Sequence, residues 1–172
     1  MVAAILRDIE FTPRVYKSFI DLQEHLHRNI CRRRTLASIG THDLDKIEGP
    51  FRYSAEAPES FHFSPLTSED GRVFSGRELI DFYRTDDTVK HLKTYTDIIY
   101  ESPVYPVLTD AKGLVMSLPP IINGRHSRIT LETRNVFIEC TATDKTKANI
   151  VLDTVVTMFS QHCSHPFTVS GI

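Results

Sequence analysis

The first regular pattern of apolar and polar positions along the chain is helical. Apolar residues recur every three or four positions, which places them on one face of an amphipathic helix. They are Val15, Phe19, Leu22, Leu26 and Ile30. Thr12 is a favoured N-cap residue and Pro13 suits the first helical position, so the pattern predicts a helix from Pro13 to about Cys31.

A second helical face lies near the end of the chain. Thr143 or Asp144 can cap this helix, and its apolar face extends to about His162. The residues of that face are Ala148, Val151, Leu152, Val155, Val156 and Phe159. Two shorter helices are predicted at residues 76–84 and 86–95, where the surrounding sequence is polar.

Short segments between these helices have the alternation or the apolar runs of β-strands. Strands are predicted at residues 3–11, 35–40, 51–54, 61–63, 104–108, 114–118, 135–141 and 167–169. A polar turn is predicted from Thr41 to Asp45, and residues Thr109 to Gly113 form a hairpin loop. Strands joined by hairpins, with helices inserted between them, predict an α+β fold. We expect a mixed or antiparallel sheet with helices packed on it, in a single compact domain over residues 1–172.

Composition narrows the class of protein. The chain is 41% hydrophobic with a formal net charge of −2, so it should fold around a core, and any contact with nucleic acid must come from a local basic patch. The three cysteines form no C-x-x-C pair, which predicts free, buried thiols in a reducing compartment rather than a zinc site. No apolar run is long enough to span a bilayer, so we expect a soluble, cytoplasmic protein.

Most familiar catalytic motifs are missing from the sequence. It has no G-x-S-x-G, no G-x-x-x-x-G-K-[ST], no G-x-G-x-x-G and no H-E-x-x-H. His162 and His165 flank Cys163, but helix ends favour histidine for capping, and we predict no metal site. The single basic run, Arg28 with Arg32-Arg33-Arg34, is either a solvated helix end or a contact for phosphate or RNA, and both interpretations stay open.

One carboxylate lies where a strand should be apolar. Glu139 stands inside Val-Phe-Ile-Glu-Cys-Thr-Ala-Thr, and buried carboxylates are rare unless they are paired or functional. Strand alternation places Phe137, Glu139 and Thr141 on one face and Cys140 on the other. That face is either a small polar pocket with an aromatic wall or an edge strand whose glutamate meets water.

Four segments closely resemble one protein family. They are residues 36–45, 102–107, 117–124 and 135–144, which include Pro-Pro-Ile-Ile-Asn-Gly and Phe-Ile-Glu-Cys-Thr. These segments resemble the internal editing domain of the β subunit of eukaryotic cytosolic phenylalanyl-tRNA synthetases, and the resemblance covers nearly the whole chain. Because the β subunit of that family is much longer, the resemblance implies an excised piece, without the core that docks on the α subunit.

The resemblance implies a proofreading hydrolase. Such a domain removes tyrosine from mischarged tRNA(Phe), within an α2β2 phenylalanine–tRNA ligase that attaches phenylalanine to tRNA(Phe) with ATP. A pocket shaped for phenylalanine rejects the hydroxylated isostere only about a hundredfold, so a second site that binds the hydroxyl is needed. The expected partners are the acceptor end of tRNA(Phe) and the α subunit, with no membrane partner. ATP and magnesium are expected for the whole enzyme, and no cofactor is expected for this piece.

The resemblance also implies roles for individual residues. Glu139 matches a glutamate that reads the tyrosine hydroxyl in bacterial members, whereas Asn123-Gly124 matches a glycine pair from which Asn123 departs. The implied catalytic residues are Glu139, Thr141, Ser117 and Asn123. The implied substrate-binding residues are Leu108, Phe137, Gly124 and Thr143. The basic run, and not the resemblance, supplies the predicted tRNA-binding residues, Arg32, Arg33 and Arg34. Bacterial members carry a histidine where Gly40 stands, so no role is assigned to His42, and we expect water to be oriented without a protein nucleophile.

Two other functions are compatible with the sequence. The chain could be a non-catalytic tRNA-binding or structural module of the same synthetase, although the family form of Glu139, Thr141 and the Asn123-Gly124 turn argues against lost editing. It could also be a small-ligand binding module that uses the same pocket. Free tyrosine bound with no effect on Tyr-tRNA would favour that third function.

Overall fold

The computed structural model describes residues 1–166 and the backbone of residues 170–171. The chain divides into two compact units, Met1–Ile47 with Ile129–Ile172 (unit 1) and Glu48–Arg128 (unit 2). Each combines helices with antiparallel strands, which confirms the predicted α+β class. That residues 1–172 form one domain stays a prediction, and the strand predicted at residues 167–169 lies outside the described residues.

The elements have the following bounds. The strands are β1 (Val2–Leu6), β2 (Ala37–Asp43), β3 (Arg52–Glu56), β4 (His62–Phe63), β5 (Phe74–Ser75), β6 (Tyr105–Thr109), β7 (Val115–Leu118), β8 (Ile122–Asn123), β9 (Val136–Ala142) and β10 (Ser170–Gly171). The helices are α1 (Pro13–Arg28), α2 (Gly76–Thr85), α3 (Lys90–Thr96) and α4 (Lys145–Ser160), with 3-10 turns at Leu44–Lys46 and Asp87–Val89.

Unit 1 is a four-stranded antiparallel sheet with two helices on one face. The strand order is β10-β1-β9-β2, and β2 forms an edge. Alternate residues of β9 enter the core that α1 and α4 cover, because side chains of a strand alternate between faces. These are Val136, Ile138 and Cys140, and they pack with Phe19 and Phe159 of the helices. Strand parity therefore directs Cys140 into the core, as predicted.

Both helices of unit 1 begin at the capping residues that the sequence indicates. The Thr12 hydroxyl accepts from the backbone N–H of Val15 at 3.2 Å, with proline at the first helical position. The Asp144 carboxylate accepts from the N–H of Lys147 at 2.9 Å, so Asp144 rather than Thr143 is the cap of α4. Each cap satisfies one of the N–H groups that a helix start leaves without a partner.

Two side chains of α1 cover the outer edge of β2, the side that faces away from its partner strand β9. The N–H of Ile39 donates to Nε2 of His27 at 2.9 Å, and the carbonyl of Ile39 accepts from Nε2 of Gln23 at 2.9 Å. An uncovered edge strand would present these groups to another chain. His27 is buried, and its Nδ1 lies 3.9 Å from a carboxylate oxygen of Glu24.

Three predicted boundaries in unit 1 are wrong. Strand β1 ends at Leu6 rather than residue 11, because Asp8 adopts a left-handed backbone conformation, φ 52°. Helix α1 ends at Arg28 rather than Cys31, and three consecutive arginines, 32–34, take φ values of 50°, 52° and 65° as the chain turns back. Strand β2 continues to Asp43, because residues 41–43 of the predicted polar turn pair with β9, and the last of them, Asp43, lies opposite Val136.

Unit 2 has a second antiparallel sheet, in the order β3-β6-β7-β8, and a separate β4–β5 pair. Helices α2 and α3 pack on this unit's own core, in which Tyr83 of α2 lies with Phe61, Tyr105 and other apolar side chains. The β6–β7 hairpin is closed by Asp110, whose Oδ1 accepts from the N–H groups of Lys112 and Leu114, both at 2.9 Å. The loop predicted from Thr109 to Gly113 is therefore confirmed as a hairpin, with β6 including Thr109.

All three cysteines are free and buried, as predicted. Burial raises the pKa of Cys31 to about 11, so this thiol is protonated and unreactive at neutral pH. Among residues 1–166, no helix is long and apolar enough to cross a membrane.

Replacing His27 with glutamine should remove a pH-dependent part of the stability. Burial lowers the pKa of His27 from its ordinary 6.5. The neutral ring therefore contributes its full share of the free energy of unfolding above pH 6.5. That share is lost as the pH falls through the lowered pKa and the ring is protonated. Glutamine can offer an amide oxygen to Ile39 without titrating. Urea unfolding at about pH 7.5 and about pH 5 should therefore show a smaller loss of stability for the variant than for the parent.

His25→Gln is the matched control, since His25 is exposed in the same turn of α1. It should keep the pH dependence of the parent. The neighbouring carboxylate does not interfere, because His27, Arg34 and Arg28 lower the pKa of Glu24 to about 2, and its contribution falls only below its ordinary 4.5. Parallel pH profiles for the parent and His27→Gln would contradict the prediction.

Candidate functional site

The face of the unit 1 sheet opposite the helices is polar and buried. The β2–β9 register pairs Ser38 with Thr141, Gly40 with Glu139 and His42 with Phe137. Residues directly opposite each other in a sheet share a face, so these six residues form one surface, which we call the polar face. Its members other than Gly40 are at most 7% exposed, although they include a carboxylate, an imidazole and two hydroxyls. The predicted pairing of Phe137, Glu139 and Thr141 on one face is thereby confirmed.

Glu139 lies at the centre of the polar face, between two small residues. Its side chain is 1% exposed, and its cross-strand neighbours are Ala3 on β1 and Gly40 on β2. A Cβ atom at Gly40 would lie 2.3 Å from Oε1 of Glu139 and 2.9 Å from its Cδ. Glycine at position 40 is therefore required by the close approach of the carboxylate, and not by a special backbone conformation.

Hydroxyl and aromatic groups flank this carboxylate along the ladder. The hydroxyls of Ser38 and Thr141 share a hydrogen bond of 2.7 Å on one side. On the other side, the His42 ring lies 6.1 Å from the Phe137 ring, centroid to centroid, at an angle of 44°. A carboxylate, two hydroxyls and an aromatic wall can together recognise a ligand that carries a ring and a hydrogen-bond donor.

Sequence reasoning did not single out Ser38 and assigned no role to His42. The structure places both on the polar face, with His42 fully buried. The signal was present as alternation of Ser38, Gly40 and His42 at the period of a strand. It was missed because the predicted strand ended at Gly40, which placed His42 in a turn.

Three predicted site residues lie side by side in unit 2. Leu108 pairs with Ser117 across β6 and β7, and Ser117 pairs with Asn123 across β7 and β8. They form one row across the sheet, and Leu108 and Ser117 are buried. The three residues lie together because β6, β7 and β8 are neighbours in the sheet, so their grouping depends on the strand order.

The Asn123-Gly124 segment is held on both sides. The N–H of Gly124 donates to the carbonyl of Met116 at 2.7 Å, and the carbonyl of Asn123 accepts from the N–H of Leu66 at 3.0 Å. A Cβ at Gly124 would lie 2.4 Å from the carbonyl oxygen of Val115, so only glycine fits there. Sequence reasoning also missed the nearby His126, whose pKa is lowered by burial, so that its ring is neutral at pH 7.

The remaining predicted site residues lie apart from the polar face. Thr143 is exposed just beyond β9, where its hydroxyl donates to the carbonyl of Leu36 at 3.4 Å. Arg34 is half-buried and lies 3.5 Å from Glu24, whereas Arg32 and Arg33 are exposed. No group of three His, Cys, Asp or Glu residues that could hold a metal ion occurs in the described part of the chain.

Gly40→Ala should destabilise the chain only while Glu139 is present. The new methyl group would overlap the carboxylate, and overpacking of this kind costs about 1–3 kcal/mol. In a Glu139→Ala background the overlapping atoms are gone, so the same substitution should change the free energy of unfolding by less than about 0.5 kcal/mol. Urea unfolding of the four proteins in this double-mutant cycle measures the difference.

Gly49→Ala is the control, because a Cβ at Gly49 would meet only ring atoms of Phe51 at ordinary contact distance. It should be nearly neutral in both backgrounds. If Gly40→Ala and Glu139→Ala prove additive, the carboxylate does not occupy the space above Gly40.

Known proteins match this chain over nearly its whole length. A family model described as the B3/4 domain matches residues 3–164. The chain is 60% identical over 168 residues to the phenylalanine–tRNA ligase beta subunit of Drosophila melanogaster, covering 98% of this chain and 28% of that protein. It is 55% identical over 172 residues to the Arabidopsis thaliana protein named phenylalanine–tRNA ligase beta subunit, cytoplasmic, covering 100% of this chain and 28% of that protein.

A solved structure supports the same relationship. The chain superposes with a TM-score of 0.84 and 30% identity on an N-terminal fragment of the phenylalanyl-tRNA synthetase beta subunit from Pyrococcus horikoshii, covering 94% of this chain and 44% of that fragment. The family resemblance noted from the sequence is thereby confirmed, and the chain spans 28% of the length of the two relatives named above. Because the family model matches nearly all of it, the chain belongs to the B3/4 domain family and is similar throughout to one segment of eukaryotic phenylalanine–tRNA ligase β subunits.

Proposed function

We propose that this chain is a proofreading hydrolase that cleaves tyrosine from mischarged tRNA(Phe). The observation that carries the proposal is Glu139, a carboxylate 1% exposed at the centre of the polar face, with Gly40 opposite it leaving room for Oε1. Burying a carboxylate in an apolar strand costs free energy unless the group is paired, hydrogen-bonded or functional. The function we propose for Glu139 is to bind the phenolic hydroxyl of tyrosine.

The specificity follows from hydrogen bonding rather than from size. Tyrosine donates its hydroxyl hydrogen to the carboxylate of Glu139, whereas phenylalanine in the same position offers no donor for that hydrogen bond. A site built to bind a hydroxyl rejects the analogue without it far more strongly than an apolar pocket rejects an added hydroxyl. The correct product, Phe-tRNA(Phe), is therefore spared.

The polar groups beside Glu139 support the same ligand. The Phe137 ring offers an aromatic wall for the tyrosine ring, and Thr141 and Ser38 supply hydroxyls that can shift their shared hydrogen bond toward a substrate. Ser117, Asn123, Leu108, Gly124 and Thr143 keep the roles that the family resemblance implies. Hydrolysis here needs no covalent enzyme intermediate, and water oriented by backbone groups and the terminal ribose attacks the ester carbonyl. The acyl C–O bond to the ribose then breaks, a proton from the water passes to the leaving ribose oxygen, and free tyrosine is released.

The whole enzyme is proposed from its relatives. It is an α2β2 phenylalanine–tRNA ligase that acts in the cytoplasm, binds the acceptor end of tRNA(Phe) and attaches phenylalanine with ATP and magnesium. The α subunit carries the synthetic site. The sequence of this chain has no glycine-rich phosphate loop, and no step of the editing reaction is assigned to ATP or magnesium.

Glu139→Ala in the whole enzyme should abolish the preference for Tyr-tRNA(Phe). Removing the acceptor leaves the tyrosine hydroxyl unpaired, which costs roughly 1–3 kcal/mol, so kcat/KM for deacylation should fall about 5–150-fold. Deacylation of radiolabelled Tyr-tRNA(Phe) and Phe-tRNA(Phe), measured side by side, tests this. ATP-dependent synthesis of Phe-tRNA(Phe) should be unchanged.

Glu132→Ala is the matched control, because it removes an exposed carboxylate from the same unit. It should edit as the parent does. Equal Tyr-tRNA cleavage by the parent and Glu139→Ala would remove Glu139 from the reaction. An inactive parent that still binds tRNA would instead support the structural or RNA-binding module.

A further inference from the structure

We propose that four exposed cations at one end of unit 1 bind the sugar-phosphate backbone of RNA. They are Arg32, Arg33, Lys145 and Lys147, and we call them the basic edge. The inference rests on the proposed function for the choice of ligand. It extends that function by a separate surface, because the lysines carry no assigned role and Arg34 is not a member.

The β2–β9 ladder brings these cations together. The arginines precede β2 and the lysines begin α4, which follows β9, so both pairs flank the same end of the ladder. One backbone contact ties the two segments: the N–H of Thr143 donates to the carbonyl of Leu36 at 3.1 Å. Within the arginine segment, the N–H of Thr35 donates to the carbonyl of Arg32 at 3.2 Å and closes the turn. Residues far apart in sequence thus form one surface.

The four side chains are available for a ligand. All are exposed, and none forms an ion pair within residues 1–166. Their neighbours are already neutralised, because Glu24 lies 3.5 Å from both Arg28 and Arg34. The carboxylate of Asp144, which caps α4, accepts a hydrogen bond from the N–H of Lys147 at 2.9 Å. The basic edge therefore keeps a net positive charge.

The arginines are held in a strained turn. Arg32, Arg33 and Arg34 have φ values of 50°, 52° and 65°, a conformation that side chains with a Cβ adopt at a cost and that glycine adopts freely. Three such residues in succession are unusual, since none is glycine, asparagine or aspartate. Strain that is kept at exposed charged residues points to selection for the charge rather than for stability.

The chemistry favours a phosphodiester backbone. The basic edge has four cations and one neighbouring carboxylate, that of Asp144, so its net positive charge attracts a polyanion. None of its four residues has an aromatic ring that would stack on a base. Contacts of this kind position a nucleic acid without reading its sequence, and they weaken with salt in proportion to the number of phosphates neutralised. A single-stranded or helical part of tRNA near its acceptor end fits this requirement.

The experiment measures binding of uncharged tRNA(Phe) by the whole enzyme as a function of salt. Each lost phosphate contact should lower the slope of log K against log[salt] by about 0.7–0.9. Arg32→Ala with Arg33→Ala should therefore reduce the slope by about 1.4–1.8 and weaken binding about 25–60-fold at about 0.1 M salt, with little change at about 1 M. Arg7→Ala with Arg14→Ala removes the same charge from two other exposed arginines and should leave the slope unchanged.

A second variant separates charge from backbone strain. Arg33→Gly relieves the left-handed conformation, so Tm should rise by about 1–3 °C while the salt slope falls by about 0.8. Arg33→Lys should keep both the slope and Tm of the parent. A glycine variant that gains stability and binds tRNA like the parent would overturn the inference, as would an equal loss of slope in the Arg7 and Arg14 control.

Failure of the proposed function would look different. Glu139→Ala should lose Tyr-tRNA cleavage and keep tRNA affinity, whereas the basic-edge variants should raise KM for deacylation and keep kcat. If the parent edits but the basic-edge variants bind tRNA normally, the proposal that the basic edge binds RNA is wrong and the proposed hydrolase function is unaffected. If the variants instead lose binding to vesicles containing phosphatidylserine and keep tRNA binding, the basic edge faces a membrane and the inference is overturned.

Discussion

The antiparallel ladder between β2 and β9 is the interaction on which the rest of unit 1 depends. It runs from Ala37 opposite Ala142 to Asp43 opposite Val136, and its register sets what each face contains. A slip by one residue would exchange the two faces, so that Glu139 would enter the apolar core and Ile138 would leave it. The core under α1 and α4 therefore holds the register, and the register places the carboxylate.

The ladder also explains why two unrelated requirements meet at Gly40. The edge strand must be covered, and α1 does this with His27 and Gln23 at Ile39. The next residue along β2 faces the other way and must leave room for Glu139. Glycine normally lowers the stability of a strand. It is needed at position 40 because a larger residue would overlap the side chain of Glu139. Stability on one face and chemistry on the other share one strand.

Strain in this chain lies at charged residues beside turns. Asp8 ends β1 in a left-handed conformation, and the arginines of residues 32–34 do the same between α1 and β2. The chain must reverse within a few residues there to bring β2 beside β9, since α1 ends at the edge it covers. Glycine would serve the turn better, and the charged side chains are what the basic edge would use.

The sequence by itself determined the local elements and the anomaly at Glu139. Periodicity placed α1 and α4, capping residues set where they begin, and alternation along β9 separated Cys140 from Glu139, because these are properties of neighbouring residues. Only the tertiary structure decided that β2 reaches Asp43, that Ser38 and His42 join the polar face, and that Lys145 lies at the same end of the ladder as Arg33. Those facts depend on which strand pairs with which, and pairing between residues about a hundred positions apart leaves no local signal to read.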